Sequence, residues 1–172
     1  MAVYAENGID IAEALKHKAE TGSLSGLAGC KEMPCDDVLT LECDILLPSA
    51  LENAITLKNV GNVKTKIIAE LANGPTTPGA DRVLDDEGVL LVPDILANAG
   101  GVTVSYYEWV QDQYSFFWSE DKINNTLEQT IQTAFKSVHE TAEQYNTDFR
   151  TGAYILAVGR VVEATRVRGI FP

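Results

Sequence analysis

Val89-Leu90-Leu91-Val92-Pro93-Asp94-Ile95-Leu96-Ala97-Asn98-Ala99-Gly100-Gly101-Val102-Thr103-Val104 is the stretch on which the fold turns. Four consecutive apolar residues have the length of a short buried strand, and Pro93 ends the run. The glycine pair then opens what reads as a helix. Strand, tight polar turn, glycine pair and helix make a geometry for ligand approach. Backbone without side chains can come close to a ligand, and the first N–H groups of a helix point outward at it.

Two further apolar runs lie upstream, in Asp44-Ile45-Leu46-Leu47 and Ile67-Ile68-Ala69. All three are continuous rather than alternating, as expected of parallel strands covered on both faces. Each ends in turn-type residues: Pro48-Ser49-Ala50, Asn73-Gly74-Pro75 and Pro93-Asp94. Helical segments are expected between them, over Asn53–Val60 and Pro78–Glu87. Strands alternating with helices specify β-α-β units and an α/β fold with a doubly wound sheet.

The chain is helical on either side of this alternation. Asp10 to Ala19 reads as a short helix with a capping-box-like start at Asp10-x-x-Glu13, and Ile9, Ala12, Leu15 and Ala19 share one face. Thr21–Gly29 is a glycine- and serine-rich connection. Its Gly22, Gly26 and Gly29 lack the G-x-G-x-x-G spacing of a dinucleotide turn. After Gly101, residues Ile123, Leu127, Ile131, Phe135, Val138, Ala142 and Tyr145 recur by fours and threes, which predicts one long helix with a core-facing stripe. Ser119 is its expected N-cap and Asn146 its stop. A last helix is expected over Arg150–Arg168, with Gly169 just past its end.

Composition narrows the function classes. A length of 172 residues suffices for one domain, and the net charge of −12 leaves no basic stripe for nucleic acid. No apolar run approaches the roughly 18 residues of a membrane span, and the N-terminus lacks a basic-then-apolar signal, so a cytoplasmic protein is expected. Cys30, Cys35 and Cys43 form no C-x-x-C, and His17 and His139 form no metal motif. No metal site is expected, and the thiols read as free in a reducing compartment.

Ligands of open parallel sheets bind beyond the carboxyl ends of the strands. Ala50, Asn53, Asn73 and Asn98 all fall at or just past such ends. Asparagine offers a donor and an acceptor on a short arm, suited to a carboxamide or a ribose hydroxyl. A turn asparagine that simply tolerates left-handed backbone is the competing reading. Ser105, one helical turn past Gly101, could donate to a substrate carboxylate or be a plain helix-surface serine. No nucleophile–base pair or phosphate loop is visible, so no catalytic residue is assigned. Lys58, Lys64 and Lys66 fall in helix or connector, where solvent is their usual partner.

The strings LPSALEN (47–53), ELANGPTTPGAD (70–81), VPDILANAGGVTVSYYEWVQ (92–111) and RTGAYILAVGRV (150–161) together resemble the glutamate dehydrogenase family over almost the entire chain. The resemblance implies a partial Rossmann-like NAD(P)-binding domain over residues 1–100, lacking its first strands, with a helical extension over 101–172. It implies NAD or NADP as cofactor, L-glutamate and 2-oxoglutarate as substrates, and a homo-oligomer. By motif matching, Ala50, Asn53 and Asn73 would touch the cofactor, Asn98 would lie by the nicotinamide, Val102 would line the side-chain pocket and Ser105 would hold the distal carboxylate of glutamate. The family's phosphate turn, and the lysine and aspartate of its substrate domain, have no counterpart in these residues. The expectation is a truncated piece without turnover of its own, and with a bare sheet edge at Asp44–Leu47 that either pairs with a second chain or is covered by local rearrangement. A non-catalytic binding module is the alternative, as is a relative acting on another amino acid, which Ser105 disfavours.

Overall fold

Three apolar runs pair side by side at the centre of the larger of two compact units. In the computed structural model, which describes residues 1–170, the elements in chain order are β1 (Ala2–Tyr4), α1 (Ile11–Thr21), β2 (Lys31–Met33), β3 (Ile45–Leu46), β4 (Ile67–Ala69), α2 (Pro78–Asp86), β5 (Leu90–Val92), α3 (Asp94–Ala97), α4 (Ala99–Tyr114), α5 (Glu120–Tyr145) and α6 (Phe149–Arg168). One unit comprises Met1–Cys43 with Asn62–Lys64, and the other Asp44–Gly61 with Thr65 onward.

In the larger unit the order β3-β4-β5 is wholly parallel, with Leu46 opposite Ile68 and Ile68 opposite Leu91. This is the α/β sheet with long C-terminal helices that the sequence predicts. Those three central residues are buried, but burial on both faces holds only in part: Ile45 is 55% exposed and Leu90 41%. The sheet therefore has one fully covered face. Helix α2 follows the expected bounds, starts with Pro at its first turn and buries Ala80 and Leu84.

The segment Asn53–Val60 is not the helix that was expected. Its backbone is drawn instead to the loop after β4: Asn53 N–H donates to Gly74 O (2.9 Å), Ile55 N–H to Pro75 O (2.8 Å) and Thr77 N–H to Ile55 O (2.9 Å). Ile55 and Thr76 form a parallel bridge, and Ile55 is fully buried. Helix α4 begins at Ala99, one residue before the glycine pair expected to open it. Asn98 (φ −101, ψ 6) makes the single break between α3 and α4.

Helices α5 and α6 carry the caps anticipated for them. Ser119 accepts from Lys122 N–H, Asn146 closes α5 in left-handed backbone, and Gly169 follows α6. Asp148, unforeseen, caps α6 by accepting from Thr151 N–H. Leu96, Val138 and Ala153 form the core where these helices meet, with Val92, Ala134, Phe149 and Leu156 packed around it. The stripe of α5 is fully buried only at Val138 and Ala142, while Phe135 is 41% exposed and Tyr145 57%.

The smaller unit is an antiparallel pair, β1 against β2, which the sequence reading missed, together with α1. Asp10 caps α1 as expected, but the helix runs on to Thr21 and ends at left-handed Gly22. The face predicted to be buried is open, with Leu15 64% exposed; Ala14 points inward instead.

Candidate functional site at the carboxyl ends of the strands

The loops leaving β3 and β4 are stitched together by backbone hydrogen bonds, and the loop after β5 is joined to the β4 loop through side chains. Leu71 and Ala72 N–H both donate to Pro48 O (3.1 and 2.9 Å), which ties the β4 loop to the β3 loop that carries exposed Ala50. Asn53, in left-handed backbone at φ 53, joins the same seam through Gly74 O. Its conformation suits the turn reading of an asparagine, and its side chain is exposed.

Asn73 and Asn98 meet directly. Asn98 Nδ2 donates to Asn73 Oδ1 at 2.7 Å and lies 3.4 and 3.5 Å from the carbonyls of Leu71 and Ala72. Backbone carbonyls only accept, so the nitrogen of the Asn98 amide must face them. Among the described residues, Asn98 Oδ1 and Asn73 Nδ2 are left without a protein partner: one acceptor beside one donor.

Helix α4 leads away from this pair with an open face. Val102 is 70% exposed, Tyr106 59% and Trp109 57%, and Ser105 is exposed among them. Ser105 Oγ donates to Gly101 O at 3.1 Å, as helix-surface serines do. At Gly100 and Gly101 the backbone is ordinary helix, and an added Cβ would meet nothing within 4 Å. Neither conformation nor internal packing therefore asks for glycine at the start of α4, where glycine costs stability.

Beneath the asparagine pair lies a charged cluster that no sequence pattern announced. Glu70, the residue after β4, is fully buried, and its Oε1 accepts from Arg150 Nη2 at 2.8 Å. Arg150 also reaches Asp81 Oδ2 (2.7 Å) and Asp94 Oδ1 (3.5 Å). Burial disfavours the guanidinium charge, but its hydrogen bonds and proximity to Glu70 and Asp81 outweigh that, so its pKa stands above the ordinary value. A half-open cavity of about 270 Å³, lined by Asp81, Asp85, Val89, Leu91, Asp148 and Phe149 among others, runs along β5 and meets the charged cluster at Asp81.

The family model described as glutamate/leucine/phenylalanine/valine dehydrogenase matches residues 1–169. The chain belongs to that family. It is 49% identical over 170 residues to a glutamate dehydrogenase of Thermotoga maritima, covering 99% of this chain and 41% of that protein. It is 43% identical over 168 residues to an NAD-specific glutamate dehydrogenase of Clostridioides difficile, covering 98% and 40%. Its fold superposes with a TM-score of 0.90 on the hetero-hexameric glutamate dehydrogenase of Thermus thermophilus in a leucine-bound form, at 37% identity over 98% of this chain and 40% of that one. The chain thus spans about two-fifths of the length of these relatives.

The sequence-derived residues lie on the loops that leave β3 and β4, at the break before α4 and on the first turns of α4. Asn98 bonds Asn73 directly, and Asn53 bonds the neighbouring Gly74. Ala50 shares their seam, and Val102 and Ser105 stand three residues apart on the open face of α4. Sequence reasoning missed Glu70, Asp94 and Arg150. The one available signal was a glutamate placed directly after an apolar strand, where burial forces it to find a cation.

Proposed function

We propose that this chain forms the nicotinamide side, and part of the glutamate carboxylate site, of an NAD(P)-dependent glutamate dehydrogenase that converts L-glutamate to 2-oxoglutarate and ammonia. The observation that carries this reading is the Asn73–Asn98 couple. An outward acceptor beside an outward donor is the complement of a carboxamide, whose own amide and carbonyl would satisfy both. The bound cofactor supplies the hydride acceptor. The chain's residues hold and orient: Ala50, Asn53 and Asn73 along the cofactor, Asn98 at its carboxamide, and bare backbone at Gly100–Gly101 for close approach.

Val102 and Ser105 serve the amino acid. The Ser105 hydroxyl can turn from Gly101 O to donate to the distal carboxylate of glutamate, which a wholly apolar side chain there could not do. Residues 1–100 act as the partial nucleotide-binding domain and 101–172 as its helical extension, in a homo-oligomeric, cytoplasmic enzyme. The three cysteines are unpaired, in keeping with a reducing compartment. No helix among the described residues is long and apolar enough to cross a membrane, and the charge of −12 offers nucleic acid no counter-surface.

Saturation transfer from the purified chain to NADH and NADPH tests the reading. Nicotinamide-ring protons should receive saturation in the native chain and lose it in Asn98→Ala. Contact confined to the adenine end, or none, overturns it. The same samples given glutamate and oxidised cofactor should produce no reduced cofactor, because no group among these residues is placed to take the proton.

A further inference from the structure

Two asparagines on separate loops present a defined pattern only if something holds both loops. Asn98 sits at the junction of α3 and α4, but Asn73 is exposed on a turn whose next residue, Gly74, has left-handed backbone at φ 54. That turn is tethered by one charged contact: Gly74 N–H donates to Asp94 Oδ2 at 2.8 Å. Asp94 is itself held from three sides. Its own N–H donates to Glu70 Oε2 (2.9 Å), its Oδ1 accepts from Ile95 N–H (2.8 Å), and Arg150 Nη1 approaches the same Oδ1 at 3.5 Å.

Arg150 is the one cation of this cluster, facing Glu70, Asp81 and Asp94. It stands in the first turn of α6, 80 residues from Glu70 and 56 from Asp94. Without it, three carboxylates would share a partly buried site and repel one another. Asp94, with a side chain 21% exposed against 0% for Glu70 and carried on the single turn of α3, would be free to shift. Its displacement would free Gly74 N–H, leaving the turn held through Gly74 O by Asn53 N–H, and so loosen the Oδ1 of Asn73 that receives Asn98 Nδ2.

We propose that Arg150 is a positioning residue for the cofactor-facing turn: by anchoring Asp94 it fixes Gly74, and thereby the pairing of Asn73 with Asn98. Arg150 touches neither asparagine and acts through Asp94. A planar guanidinium is required, since its Nε, Nη1 and Nη2 serve three different carboxylates at once; the single ammonium of lysine cannot span them. The proposal rests on the functional reading only for what the asparagine pair binds, because the pairing itself is present without ligand.

The test uses the full chain as Arg150→Lys, Arg150→Met, Asp94→Asn and Asp81→Asn variants, followed by amide exchange at Gly74 and the side-chain amide resonances of Asn73 and Asn98. Arg150→Lys keeps a charge beside Glu70 and serves as the folded counterpart should Arg150→Met not fold. Gly74 protection is expected to fall about tenfold or more in Arg150→Lys and Asp94→Asn, with the Asn98 amide moving toward solvent-exposed positions. Asp81→Asn, which removes a carboxylate of the same guanidinium on α2, should lower thermal stability while leaving both signals in place. Equal changes in Asp81→Asn and Arg150→Lys would make the arginine merely structural and overturn the proposal, as would unchanged Gly74 protection in Arg150→Lys. These readouts need no cofactor, so absence of nicotinamide contact in the native chain would sink the functional reading alone.

Discussion

Gly152 of α6 lies against Ala142 of α5 so closely that a Cβ at position 152 would stand 3.0 Å from the Ala142 Cβ and 3.1 Å from its backbone nitrogen. Both residues are buried, where the two helices run past each other beside the Leu96–Val138–Ala153 core. Backbone cannot swing aside as a flexible side chain can, so Gly152→Ala must push the helices apart. The expected cost is about 1–3 kcal/mol, read as a lowered urea midpoint. Gly159, on the same helix but with nothing within 4 Å of an added Cβ, is the internal comparison. Gly159→Ala should stabilise by about 0.5–1 kcal/mol through helix propensity.

In the first turn of α4 two glycines stand where the helix does not require them. Gly100 and Gly101 have ordinary helical backbone and free space around a Cβ, so alanine at either should stabilise α4 by about 0.5–1 kcal/mol. If that space is where the nicotinamide approaches, the same substitutions should weaken saturation transfer to the ring while raising the melting temperature. A gain in stability with unchanged cofactor contact would return the glycines to accident.

What the sequence disclosed and what it hid divide along the range of the interactions. The strands at Ile45, Ile67 and Leu90 were legible because burial of consecutive apolar residues is a local property. So were the caps at Asp10 and Ser119, where the side chain bonds a backbone only three residues on. Asn53–Val60 was misread because its backbone is committed to Gly74, Pro75 and Thr77, about twenty residues away, and no local period encodes that. Arg150 stayed hidden for the same reason: its partners come from the end of β4, from α2 and from α3. At the site itself, the placement of Asn73 and Asn98 at strand ends was readable. Their mutual hydrogen bond, which sorts the free donor from the free acceptor, was not.

Asp148 gives α6 a pH-dependent start. Its carboxylate accepts from Thr151 N–H (2.8 Å) and Thr151 Oγ1 (2.6 Å). Partial burial alone would raise its pKa, but the bonds from Thr151 prevail and hold it below the ordinary carboxylate value. A group depressed in the folded chain contributes stability above its unfolded pKa, about 3.9, and loses it as pH falls through the lower folded value. Asp148→Ala should therefore cost about 1 kcal/mol at neutral pH. The gap between native and Asp148→Ala chains should close as pH falls below the unfolded value and through the lower folded one. Urea midpoints at several pH values measure this, and a gap that persists in acid would locate the stabilisation elsewhere.

The outer side of β3 should govern how the isolated chain behaves in solution. β3 pairs only with β4 among the described residues, and Ile45 and Leu47 are 55% and 51% exposed. Neighbouring Leu51 and Leu57 are more exposed still, at 72% and 67%. Among the described residues no second strand pairs with this edge, so its outward N–H and C=O groups are open to water or to a further strand. An unpaired strand edge flanked by apolar side chains is the arrangement natural sheets avoid, because it templates a further strand. Light scattering after size exclusion should show mass rising with concentration. A lysine on the edge opposes such pairing through charge and desolvation, so Leu47→Lys should shift the distribution toward monomer. Leu57→Lys, which lies outside the strand, should shift it less. If both act alike, general surface hydrophobicity drives the association; if the native chain is a monomer throughout, the edge is not adhesive.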